Sequence, residues 1–189
     1  MAKKNLRRIV PNKGRRPSPD NRPWSLDVKC VQLLHMIRLL HMRYGENAVF
    51  HAIEVQGDKR DPVTGEPIMG WFEIRGVTDP KTGDAMKHDT PWKDPRRDVN
   101  QMAHAGLLDW IDKGKRGKSG VRLNQDGKDF LDGLAEVPAV FWFKDRVLNK
   151  WSNTYISVQD VKNIPVDPDY WENYRQELRK DWEIDEDTV

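Results

Sequence analysis

Read for the spacing of its apolar positions, the chain falls into three stretches. Residues 1–24 show almost no apolar periodicity and hold four prolines, Pro11, Pro17, Pro19 and Pro23, which predicts an extended arm. From Leu26 to Arg43 the pattern changes. Cys30, Leu33, Leu34, Ile37 and Leu40 recur at helical spacing, and Val28, Val31, Met36, Leu39 and Met42 add a second apolar face. A helix with two apolar faces is packed from both sides. Ser25 has the chemistry to cap it and Gly45 to end it. Residues 46–56 (ENAVFHAIEVQ) read as a second helix, with a strand as the alternative.

Residues 57–93 contain a short echo, DPVTGEPIM at 61–69 and DPKTGDAM at 79–86. Each Asp-Pro-x-Thr-Gly run is turn chemistry: Pro presets φ, Asp bonds the backbone, and Gly accepts a positive φ. Between them GWFEIRGV alternates Trp71, Glu73 and Arg75 with Phe72 and Ile74, which predicts a strand inside a β insertion. Asp94-Pro95 is a helix start. The helix runs to about Ala105 and stops at Gly106. A strand (107–112), a Gly/Lys/Arg loop (113–120), a second strand (121–123) and a helix near 126–134 follow. Aromatic and β-branched runs over 137–164 suggest strands or short helix. Trp171, Tyr174, Leu178 and Trp182 predict a last helix over 169–182.

The run DPRRDVNQMAHAGLLDWIDKGKRGKSGVRLNQDGKDFLDGL, residues 94–134, resembles the second half of a winged-helix DNA-binding domain. The order is recognition helix, Ala-Gly-Leu-Leu exit, strand, basic wing, strand and closing helix, most similar to the MarR and PadR branches. Residues 57–93 lie where that family has a tight turn. The resemblance implies duplex DNA as the partner.

The residues point the same way by themselves. Val99, Met102 and Ala103 share one face of the 95–105 helix, and Arg97, Asn100, Gln101 and His104 form a polar stripe on the other. Arg suits guanine edges, and Asn and Gln suit adenine. Arg96, in the first turn, is placed for a phosphate. Lys113, Lys115, Arg116, Lys118 and Arg122 supply cations from the wing, whose glycines Gly114, Gly117 and Gly120 let the backbone bend.

Charge sharpens this picture. The net charge is +2, but residues 1–23 hold eight basic side chains against Asp20, and residues 167–189 hold nine acids against three bases. A basic arm and an acidic tail suggest a polyanion partner and a segment that competes with it. Cys30 is the one cysteine, which excludes an internal disulfide. No apolar stretch reaches the roughly 18–20 residues of a membrane span, and no secretion signal is evident. These features predict a protein of the cytoplasm or nucleoid.

Other chemistry is weaker. LLHM occurs twice, but His35 and His41 are six residues apart. Their rings would point about 120° from each other and lie roughly 9 Å apart along the axis, unlike a metal-binding i, i+4 pair. Asp58, Asp61 and Glu73 near Arg75, with Asp79 and Asp84, offer a metal-dependent nuclease reading without diagnostic spacing. No nucleophile elbow, P-loop or dinucleotide fingerprint is present. The eight tryptophans suit core packing or a contact surface.

The reading is an α+β protein. It has a basic arm (1–24), a winged helix-turn-helix core (25–136) with a β insertion at 57–93, and a Trp-rich extension (137–189) with an acidic helical end. The expected function is non-enzymatic binding of duplex DNA as a transcriptional regulator, with no cofactor or metal. A homodimer or a protein partner would use the Trp-rich region. The alternative is an adaptor or structural subunit of a nucleoprotein or phage-type assembly.

Overall fold

A computed structural model describes residues 5–11, 23–144 and 147–184. The elements are β1 (Arg7–Arg8), β2 (Pro23–Trp24), α1 (Val28–Tyr44), β3 (Phe50–Ile53), β4 (Trp71–Thr78), β5 (Ala85–Asp89), α2 (Arg96–His104) and β6 (Leu108–Ile111). They continue with β7 (Gly120–Leu123), α3 (Gln125–Leu131), β8 (Ala135–Pro138), β9 (Phe141–Lys144), β10 (Val147–Trp151), β11 (Tyr155–Ile156) and α4 (Tyr170–Asp181). The fold is mixed α+β. No helix among the described residues is long and apolar enough to cross a membrane.

Helix α1 is the centre of the core. Cys30, Val31, Leu33, Leu34, Met36, Ile37, Leu39 and Leu40 are all buried, as two apolar faces require. Each fully buried aliphatic side chain contributes roughly 1.5–3 kcal/mol. The cap is Asp27 rather than Ser25: its carboxylate accepts from the Cys30 N–H at 3.1 Å.

A five-stranded antiparallel sheet of order β5-β4-β3-β7-β6 packs against α1. Phe50, Ala52, Phe72, Ile74, Val121 and Leu123 form its buried face. Residues 46–56 are therefore corrected from helix to strand. Phe50 pairs with Ile74 on one side and Val121 on the other, and Ala52 pairs with Phe72. The period of two along β3 answers to those neighbours. Residues 57–93 are β as expected, with β4 and β5 antiparallel and β4 an interior strand of the sheet. At the tips of both echoes the aspartate binds the backbone. Asp61 accepts from Val63 and Thr64 at 2.8 and 2.9 Å, and Asp79 accepts from Lys81 at 2.8 Å.

The described part of the basic arm is not a free extension. Strand β1 pairs in parallel with β8, and Ile9 is fully buried. Arg7 binds Asp126 and Asp129, and Arg8 binds Glu136. Strand β2 pairs with β9, placing Trp24 against Phe141 with ring centroids 5.5 Å apart. The arm's remaining cations, and the last three acids of the tail, lie outside the described residues.

Candidate nucleic-acid interface

Helix α2 starts as its sequence dictates. The Asp94 carboxylate accepts from the Arg96 and Arg97 N–H groups at 3.0 and 3.3 Å, so it caps the helix ahead of Pro95. Lys29 donates to the Asp94 carbonyl at 3.0 Å and pairs with Asp98 at 2.9 Å. Val99, Met102 and Ala103 face the core. These contacts fix which face α2 turns outward. At its exit Gly106 has φ 88°, and a Cβ there would meet the Val10 carbonyl oxygen at 3.1 Å.

The outward face borders a cleft of about 770 Å³ between α2, β3, β6, the 112–119 loop (the expected wing) and β9. Arg96, Arg97, Asn100, Gln101, His104, Lys113, Lys115 and Arg116 all line it, so eight of the ten expected side chains share one cavity. Five cationic side chains face two carboxylates, Glu54 and Asp94. Glu54 is held by Arg96 at 2.5 Å. Arg97, Arg116 and Lys118 are exposed, and Lys115 pairs loosely with Asp112 at 3.2 Å. Lys113 lies 5.4 Å from the Trp110 ring centroid.

One expectation needs correction. His104 is no exposed end to the polar stripe: it is 7% exposed and packed edgewise against Phe143 and Trp110, with centroids 5.5 and 6.4 Å away. Its Nδ1 is buried without a hydrogen-bond partner. Burial, and then the charge of Lys113, push its pKa down to about 4, so the ring is neutral at pH 7. Lys118 and Arg122 lie outside the cleft lining. Strand alternation turns Arg122 away, and its guanidinium donates to Asn47 at 3.4 Å.

Sequence reading missed the brace beneath the wing. Arg75 donates to the Ser119 carbonyl at 3.0 Å, to Glu73 at 2.8 Å and to His51 Nδ1 at 2.6 Å. Arginine only donates, so His51 accepts through Nδ1 and carries its proton on Nε2. Desolvation, and then the Arg75 charge, lower the His51 pKa. Gly120 closes the joint: a Cβ there would stand 2.5 Å from the Phe50 carbonyl oxygen. The available signal was the alternation of Glu73 and Arg75 along β4. Those two residues form an ion pair, Asp58 pairs with Lys93 and Arg60, and Asp61 and Asp79 are turn acceptors. Among the described residues no three His, Cys, Asp or Glu groups come together to hold a metal.

A second cleft, of about 720 Å³, lies where α4 crosses α1 and β5. Its lining has five carboxylates (Asp79, Asp89, Glu177, Asp181, Glu183) and three cations (Arg43, Lys81, Lys87). His35 stacks on Trp171 at 4.6 Å, and His88 lies 4.9 Å from Trp182 while its Nε2 shares a hydrogen bond of 2.6 Å with the Tyr44 hydroxyl. Arg43 donates to the Glu183 carbonyl at 3.1 Å. Trp171 and Trp182 thus serve packing. No protein-family model matches the chain, and neither does any curated protein or solved structure.

Proposed function

We propose that this protein binds duplex DNA and acts as a transcriptional regulator. In this reading α2 faces the bases and the 112–119 wing grips phosphates. The observation that carries it is the convergence of Arg96, Arg97, Lys113, Lys115 and Arg116 with Asn100 and Gln101 on one cleft. Cations on a bendable glycine loop suit phosphate, while arginine and side-chain amides suit base edges. Element order lends support. Helix α2, strand β6, the 112–119 loop and strand β7 follow one another, with β7 between β3 and β6; between α1 and α2 the chain forms strands β3, β4 and β5 and no second helix.

Selection of preferred duplexes from a random pool tests the proposal. A sharp motif, with half-sites if the protein dimerises, is the expected result. A flat profile would leave only electrostatic binding, and recovery no better than beads alone would end the reading.

A further inference from the structure

A duplex presents its base edges at the bottom of a groove, and side chains that stand clear of the protein surface are the ones that reach them. On α2 only Arg96 and Arg97 are exposed. Asn100 and Gln101 are half-buried, His104 is 7% exposed, and all three line the walled cleft. Groups sunk in this way meet a ligand that enters the cleft. Its volume, about 770 Å³, lies in the range of small-ligand sites.

We propose that the cleft receives one unpaired nucleobase together with its phosphate. The base would enter beside Trp110 and Phe143 toward Asn100, Gln101 and His104, and the phosphate would meet Arg97, Lys115 and Arg116. This rests on the reading of the α2–wing face as a DNA-binding surface and names what its recessed part holds. Three observations carry it. The two carboxamides each offer donors and an acceptor, which match a Watson–Crick edge, and that edge is free only when the base is unpaired. The half-buried Trp110 supplies aromatic surface on which any base can stack, with Phe143 buried behind it. The buried His104 Nδ1 has no partner in the protein, and a buried polar atom in that state is costly until something bonds it. The two lining carboxylates do not oppose a phosphate strongly, because Arg96 holds Glu54 and the α2 N–H groups hold Asp94.

The shared chemistry is a nucleoside phosphate, either free or as an unpaired position in a strand. The full chain is titrated into a paired duplex, into the same duplex with one bulged 2-aminopurine, and against free mononucleotides. The bulged duplex should bind about 10-fold tighter than the paired one, as one stacked base implies, and its fluorescence should fall on binding. Asn100→Ala with Gln101→Ala should remove more of the bulge advantage than of the paired-duplex affinity. If the double variant does not fold, Gln101→Ala alone carries the comparison. Saturable mononucleotide binding with the same sensitivity assigns the cleft to free nucleotides; binding of the bulge alone assigns it to a strand. Equal affinity for bulged and paired duplexes, with no mononucleotide binding, overturns the proposal. If the paired duplex fails to bind while the bulged one does, the duplex reading falls and this one stands.

Discussion

The two clefts are nearly equal in volume, about 770 and 720 Å³, but their linings are opposed. The cleft beside α2 is cationic, leaves Arg97 and Arg116 exposed, and keeps an unsatisfied histidine nitrogen. The cleft beneath α4 is acidic and also holds a buried hydroxyl without a partner, that of Tyr174, but several of its polar groups hold the molecule together. There Tyr44 bonds His88, Trp182 covers His88, and Arg43 ties down the end of α4. Buried histidines therefore serve two ends. His35 and His88 are packed under tryptophans, whereas His104 is packed under Phe143 and Trp110 on the lining of the cationic cleft. The difference also relocates the charge asymmetry. In the sequence it runs from a basic arm to an acidic tail. Among the described residues Arg7 and Arg8 are paired with Asp126, Asp129 and Glu136, and opposed charges line the two clefts.

Acid should disturb both regions, the α4 side more. Burial is the first cause that lowers the pKa of His35 to about 3, and of His88 and His104 to about 4, from 6.5. Each group therefore contributes stability that is complete above pH 6.5 and is lost as pH falls toward the folded value. By pH 5 the loss is about 2 kcal/mol for each histidine. The urea midpoint should fall steeply between pH 7 and pH 5, and His88→Phe should flatten the fall. A midpoint unchanged over that interval would contradict the buried-neutral assignment.

The next effect separates the clefts by charge. Neutralising Lys115, Arg116 and Lys118 should weaken every duplex alike and reduce the slope of log K against log salt by up to about 2–3. Neutralising Glu177 and Asp181 in the other cleft should leave that slope alone. Equal slopes for the wing variant and the parent would mean that the wing is a solvated connection.

Arg97→Ala is expected to cost about 1–3 kcal/mol and to relax preference at one base position. Retention of the parent's full specificity ratio would show that α2 is not the reader. The smallest effect belongs to the tail. Asp181 closes α4 and Ile184 is buried, so the truncation that tests the tail stops after Ile184 and removes residues 185–189. Their loss, which takes away Asp185, Glu186 and Asp187, should tighten non-specific binding at low salt by less than about 1 kcal/mol. Superimposable isotherms would mean that the tail does not compete with DNA.

Much of the middle of the chain was legible. Helix α2, its Asp94 cap, the Gly106 exit, β6, the wing, β7 and α3 follow from local signals, because each boundary is set by residues next to it. Strand β3 was not legible. Ala52 within it and Glu46, Ala48 and Glu54 beside it favour helix, and only pairing with β4 and β7 makes it a strand. Strands β1 and β2 were equally hidden, since two residues carry no period and their partners lie more than a hundred positions away. Within the site, the convergence of helix and wing residues was readable from order alone. The depth of His104 was not, because Phe143 comes from a strand that no local pattern places beside α2.

The pairing of β1 with β8 sets a timetable. Arg8 waits for Glu136, 128 positions later in the chain. At a ribosomal rate of roughly 5–20 residues per second, some 6 to 26 s pass before that partner has been synthesised. During this interval Ile9 has no pocket and Arg7 no carboxylates, while α1 and the β3–β4 hairpin have already left the ribosome with their own contacts in reach. Strand β1, made well before its partner, is thus among the last elements to dock, closing the molecule as a seam rather than starting it as a nucleus.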